Sequence, residues 1–425
     1  MNAPDLLADA AAQRRDEWSQ YLRSHEAGAR QNRLRAPDLH TLAAEYLGRF
    51  SESDAEAHPQ QRVADFIGDD EVAVDAALTA LRSAVWRDDV PEVGETIKLH
   101  SESKQSWLAY PVLASLHILD EESPTSLDSL PESAKRRALA IHYCTLPGVP
   151  NPDRPSWHDR WLAQDPALVL DVLQRCAVAG IRRGEDSPPG LTDLSAITGH
   201  DDLVHDVRLS LLRSFSVRGS SDRLPQLEGL LNSALNYSLE HSDTAALERL
   251  IGEKLSSQSM SVGQRVRWLA VDAALSPVPG LPRLMDFVST DEARARHLAE
   301  LLRNQAEFAQ GSGRDRARSV WLILSQSREP ATLRVLIEML GPLFVPTEWG
   351  GYISTAQGIS AFLTSVIDQL GSLPGSEAQQ VLSDLIEDTR LASWHSRLDP
   401  ARENQRVIHR DRHGRDPARS VIGGP

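Results

Sequence analysis

The chain has 425 residues, 41% of them apolar and 25% charged, enough to bury a sizeable core in about two to three domains. Aromatic residues make up only 5%, so the core must be built from Leu, Ala and Val, which argues for helix-on-helix packing and against a β-sandwich. A formal net charge of −15 repels phosphate backbones and disfavours non-specific nucleic-acid binding by the acidic body.

Two cysteines, Cys144 and Cys176, form neither a CxxC pair nor a disulfide framework, so a reducing compartment is expected. The N-terminus, MNAPDLLADAAAQRRDEW, carries acids early and no continuous apolar run, unlike a secretory signal. No apolar stretch reaches the ~18–20 residues that span a bilayer. The expectation is a cytoplasmic protein with no membrane association.

Helical periodicity covers Asp5–His25, Pro37–Phe50, Gln60–Ile67 and Asp70–Trp86, with Gly68-Asp69-Asp70 as a stop followed by an N-cap. Further helices are predicted over Pro91–Glu102, Tyr110–Glu122 and Pro131–Cys144. LPGVPNPDRP (Leu146–Pro155) is rich in proline, which removes donors and restricts the preceding residue, and so marks a domain boundary. Trp157–Gln164 and Pro166–Arg182 follow, then the breaker GEDSPPG. The stretch Arg223–Leu255 reads as two amphipathic helices around a tight turn: Leu224, Leu227, Leu231 and Leu235 on the first, Leu247, Leu250, Ile251 and Leu255 on the second. Pro225 stands where a first helical turn tolerates proline. Helical pairs begin near His200, Asp243, Gly280, Arg316 and Ala356, a spacing of roughly 40 residues that matches the helix pairs of HEAT and armadillo arrays. No strand alternation is present.

These patterns predict an all-α chain: an N-terminal helical region over 1–148, an α-solenoid-like HEAT array over 149–412, and a disordered tail over 413–425. The alternative architecture is an irregular helical bundle.

Few constellations suggest chemistry. A GxxxxGK[ST] phosphate loop, HExxH and GxSxG are all absent from the sequence. His158-Asp159, His200-Asp201 and His205-Asp206 are His-Asp dipeptides of the kind that hold divalent metals in all-helical HD phosphohydrolases, where imidazole and carboxylate ligate a metal that activates water. The sequence at 200–202 also sits where a helix start belongs, and capping is the expected role. Glu102-Ser103-Lys104 matches half of a nuclease motif in helical rather than strand surroundings, and Asp69-Asp70 lacks the second acidic motif of isoprenoid enzymes. In RVRWL (Arg265–Leu269) and RARSVWL (Arg316–Leu322) the tryptophan is expected in the core, with arginine reaching the surface. GPLFVPTEWGGYIST (Gly341–Thr355) interrupts the helices with exposed-looking aromatics, making Trp349 and Tyr352 candidate contact residues on a loop. Arg402, Arg406 and Arg410 in the locally basic run 397–419 complete the candidate interaction surface. No catalytic, cofactor-binding or metal-binding residue is assigned.

From Trp157 onward the texture is more specific. WHDRWLAQDPALVLDVLQRCAVAGIRRG, EKLSSQSMSVGQRVRWLAVDAAL, EARARHLAELL, RVLIEMLGPLFVPTEWGGYIS and LDPARENQRVIHRD…GGP resemble the helical middle region of large bacterial NACHT/STAND-type proteins. In that family a P-loop NTPase precedes a HEAT-like region, and some members continue into a nuclease-like domain. The resemblance implies a section without its NTPase or nuclease part. It also implies a non-enzymatic recognition or scaffold role in anti-phage defence, and a protein partner that could be an NTPase or nuclease component. No Walker motif is present, so no catalytic residue carries over, and the rival function is a metal-dependent HD-type phosphohydrolase using His158, His200 and Asp201.

Overall fold

The computed structural model describes residues 3–49, 56–68, 70–145, 155–216, 223–288, 290–309, 324–346 and 355–413. Within them the chain is all-α, with no strand among the described residues. It forms two compact units, Met1–Ser214 and Phe215–Pro425.

The first unit runs through α1 (Ala3–Ser24), α2 (Glu26–Arg30), α3 (Ala36–Tyr46), α4 (Pro59–Ile67), α5 (Glu71–Ser83), α6 (Val93–Ser101) and α7 (Ala109–Glu122). It continues with α8 (Pro124–Asp128), α9 (Glu132–Cys144), α10 (Ser156–Gln164), α11 (Pro166–Arg183), α12 (Leu191–Ala196) and α13 (Asp201–Ser214). Helices pack on neighbours close in sequence: α3 and α5 on α7, α6 on α9, α9 on α11, and α11 on α13. Helices on both sides of the proline-rich stretch 146–155 therefore belong to one packed unit, since α10 and α11 contact α7 and α9.

The helix starts follow the local chemistry. Asp165 accepts from the Leu168 amide at 3.0 Å, Pro166 fills the first turn of α11, and Gly184 ends it at φ +83°, where a side chain would be strained. Asp70 caps α5 by accepting from the Ala73 amide at 3.3 Å, and it also binds the Ser19 hydroxyl and the Arg23 guanidinium. Both ties come from α1, so one carboxylate starts α5 and docks it. The Arg23 hydrogen bond, followed by that of Ser19, holds the Asp70 carboxyl well below the usual carboxylate range. A depressed folded pKa gives stability that is present above the unfolded value, about 4, and lost as pH falls toward the folded value. Asp70→Ala is expected to cost about 1 kcal/mol at neutral pH, as lost N-caps do. Thermal melts between about pH 4 and 2 should show a shallower acid dependence than the parent, and an unchanged acid limb would contradict this role.

The second unit comprises α14 (Leu224–Glu240), α15 (Ala245–Leu255), α16 (Val262–Leu275), α17 (Pro277–Val288), α18 (Glu292–Ala309), α19 (Pro330–Leu340), α20 (Thr355–Ser372), α21 (Ser376–Glu387) and α22 (His395–His413). The predicted pair at Arg223–Leu255 is present as α14 and α15. Its leucines are buried at 224, 227, 231, 235, 247 and 250. Thr244 holds the N-cap position of α15 without a side-chain bond, so the turn rests on Ser242 at φ +55° and on backbone bonding of Asp243 N to Ser238 O. Helices begin at Asp201, Ala245, Pro277 and Thr355, beside four of the five expected pair starts; Arg316 lies outside the described residues.

Helices α16 and α17 pack closely on each other. A Cβ at Gly280 would stand 2.7 Å from both the Ala273 Cα and the Asp272 carbonyl oxygen, so only glycine allows this approach. Trp268 is buried as predicted, but Arg267 does not reach the surface. It is 3% exposed and ion-paired with Glu228 of α14, and it donates to the Gly263 carbonyl at 3.0 Å. Trp321, in the second Arg-Trp motif, lies outside the described residues. On α22, the buried Gln405 amide nitrogen lies against the Leu370, Gly371 and Leu373 carbonyls, and its two hydrogens are shared among them at the C-terminal end of α20.

Candidate interaction surface

In the first unit the turn between α6 and α7 is set by serine. The Ser106 hydroxyl accepts from the Leu108 amide at 3.1 Å and its carbonyl from the Ala109 amide at 3.0 Å. Pro111 then falls in the first turn of α7, where no N–H is needed. This turn leaves Trp107 outside the apolar period of α7, with 59% of its surface exposed, while Leu108 and Ala109 go into the core. Trp107 is a large aromatic on solvent, yet it is not loosely held.

His40, on α3, donates from Nδ1 to the Trp107 carbonyl at 3.1 Å; a carbonyl can only accept, so the proton sits on Nδ1. The two rings meet edge to face at 5.1 Å, and the imidazole stacks on Tyr110 at 4.7 Å with 10° between planes. The Arg49 guanidinium lies over Tyr110, 5.8 Å from its ring centre. Burial pushes the His40 imidazole below its ordinary pKa, against the bond to the Trp107 carbonyl, and burial likewise lowers Arg49 against the attraction of Tyr110. The result is a ladder of Trp107, neutral His40, Tyr110 and the Arg49 cation. It presents a rigid aromatic side chain whose ordering cost is already met, as binding anchors require.

The residues singled out in the sequence are distributed differently. Trp349 and Tyr352 lie outside the described residues. The segment leading toward them is fixed at its start: the Trp394 indole, fully buried, donates to the Gly341 carbonyl at 3.0 Å and to that of Phe344 at 2.8 Å. Beside this anchor Leu343 and Val345 are exposed. On α22, Arg402 donates to Asp399 at 3.2 Å and Arg406 to Glu403 at 3.1 Å, so each cation is balanced one helical turn away. Arg410 falls within α22, and its side chain is outside those described. The tail from residue 414 onward also lies outside the described residues.

His158 is fully buried on α10, its Nε2 2.7 Å from the Tyr143 hydroxyl. Around it stand His142 of α9, at 5.6 Å between rings, and Trp157, while Asp193 of α12 lies 3.7 Å from His142 Nε2. Burial would raise the Asp193 carboxyl, but the neighbouring His142 and His158 imidazoles outweigh burial and leave it lowered. His200 precedes α13 at φ +54°, its carbonyl accepting the first helical bond from Val204 at 3.0 Å, with Asp201 and Asp202 in the first turn where the helix dipole favours acids. His205 is buried. Among the described residues no group of three or more His, Cys, Asp or Glu is arranged to hold a metal ion. Glu102 and Lys104 pair with each other at 2.8 Å on the exposed turn after α6.

Sequence reasoning missed the Trp107 ladder and the His142–Asp193 contact. Trp107 had a signal, its place behind the polar run Lys104-Gln105-Ser106, but His40 and Tyr110 join it only through the packing of α3 on α7.

No family model matches the chain, and no curated protein matches it. Among solved structures, the crystal structure of an engineered protein aligns with 92% of this chain and 98% of its own, at 13% identity and a TM-score of 0.29, a level of likeness that carries no argument.

Proposed function

We propose that the protein is a non-enzymatic recognition or scaffold module that binds a protein partner, with Trp107 as an anchor of its contact surface. The observation that carries this reading is the exposure of Trp107 on a backing of His40, Tyr110 and Arg49 that holds it in place. Exposed tryptophans beside arginine are the side chains on which binding energy concentrates. The sequential packing of neighbouring helices supports a HEAT-like array in which each pair leans on the next, an architecture that offers extended surface. The resemblance to the helical region of NACHT/STAND-type proteins supports a cytoplasmic role in bacterial defence, with an NTPase or nuclease component as partner.

Co-expression with a P-loop NTPase or nuclease encoded beside its gene tests the reading. The two products are expected to co-elute in size-exclusion chromatography, and Trp107→Ser should weaken the complex at least about 30-fold, the ~2 kcal/mol of a hot spot. Co-elution unaffected by Trp107→Ser, or separate elution, would contradict it. Manganese-dependent hydrolysis of bis(p-nitrophenyl) phosphate, abolished by His158→Ala, would instead support the HD-type reading.

A further inference from the structure

Helix α6, the turn that carries Trp107 and the end of α9 enclose a small hollow. Its walls are apolar at Leu99 and Ile141 and polar at Thr96, Gln105, Ser106 and Thr145. The space is about 10 Å³, the room of one water molecule. Thr96 Oγ1 and Gln105 Nε2 are both buried, and neither has a hydrogen-bond partner among the described residues. Thr96 is 8% exposed, so bulk solvent does not serve its hydroxyl. A buried polar atom without a partner costs the desolvation of that group, and here two of them line one hollow.

The rest of the lining narrows the choice of ligand. The Lys104 ammonium is paired with Glu102 at 2.8 Å, and the His100 nitrogens meet the Cys144 carbonyl at 2.9 Å and the Glu185 carboxylate at 3.3 Å. Neither side chain leaves an unbalanced charge in the hollow, so the lining calls for a neutral molecule. Gln105 Nε2 can only donate, and the Thr96 hydroxyl can donate or accept. The Ser106 hydroxyl accepts from the Leu108 amide at 3.1 Å and keeps its proton to give. The Thr145 hydroxyl donates to the Ile141 carbonyl and keeps lone pairs to accept. A single-atom ligand that both donates twice and accepts twice matches this set, and water does so.

We propose that the hollow is a binding site for one ordered water that bridges Thr96 of α6 to Gln105 of the following turn. The water accepts from Gln105 Nε2 and bonds the Thr96 hydroxyl, while Ser106 and Thr145 offer its other two directions. The bridge ties down the turn two residues before Trp107, and His40 holds the Trp107 carbonyl from α3. The site stands whether or not a partner binds at Trp107.

A crystal structure of the full chain, at a resolution that shows ordered water, tests the site. One water is expected within about 2.7–3.2 Å of both Thr96 Oγ1 and Gln105 Nε2. Thr96→Val removes the hydroxyl at nearly constant shape and should lose that water, while Thr96→Ser should keep it. In urea unfolding, Thr96→Val and Gln105→Leu should each raise the unfolding constant about tenfold, because each leaves the other group buried and unpaired. One water joins the two side chains, so their effects should not multiply: the double variant should fall at least about threefold short of the product. Should a variant fail to fold, the parent and Thr96→Ser crystals decide. Thr96 and Gln105 bonded to each other or to other protein groups, an anomalous peak at the site in bromide-soaked crystals, or effects that multiply would each overturn the proposal.

Discussion

Arg267→Met is expected to destabilise the second unit by about 3–5 kcal/mol, because it leaves the Glu228 carboxylate buried without its cation. Arg267 is 3% exposed and Glu228 7%, and the guanidinium also holds the Gly263 carbonyl, so water cannot easily replace what is removed. A domain has roughly 5–15 kcal/mol to lose. Burial pushes the Arg267 guanidinium down, and the Glu228 charge opposes that fall. Glu228→Leu combined with Arg267→Met should recover most of the stability, since apolar replacement of a whole buried pair is often neutral. Urea unfolding monitored by circular dichroism reads both variants. A single-variant cost below about 1 kcal/mol, the level of an exposed pair, would contradict the assignment.

Trp394→Ala is expected to cost about 3–5 kcal/mol, the range for emptying a buried tryptophan site. Trp394→Phe separates the contributions: it keeps most of the packing and removes the indole donor, leaving the Gly341 and Phe344 carbonyls without that bond, for about 1–3 kcal/mol. The second consequence is local. The bond fixes the segment that leads to Trp349 and Tyr352, so limited chymotrypsin digestion should cut at Leu343 or Phe344 faster in both variants than in the parent. Equal cleavage rates would mean that the segment is held by something other than Trp394.

Much of the fold was legible because its signals are local. Proline in a first turn placed α11 and α14, Asp70 announced the start of α5, and apolar steps of three and four outlined α14 and α15 with their buried leucines. What was not legible depends on distant partners. Arg267 looked like a snorkelling arginine because nothing beside it in sequence reveals Glu228 one helix pair away. His158 looked like half of a metal dipeptide, yet its neighbours are Tyr143, His142 and Trp157, supplied by packing of α9 and α10 in one core. The Trp107 ladder draws His40 and Arg49 from one side of the chain and Tyr110 from the other.

Binding of a protein partner through the surface around Trp107 is the proposed role of the chain. Replacing Trp107 with photoreactive p-benzoylphenylalanine, and separately replacing the exposed Glu95 of α6 as a control, tests it within the complex with the co-expressed partner. Irradiation should cross-link the partner from position 107 and not from position 95, with the attachment mapped by mass spectrometry to a single stretch of the partner. Equal cross-linking from both positions, or cross-linking from position 95 alone, would contradict the account.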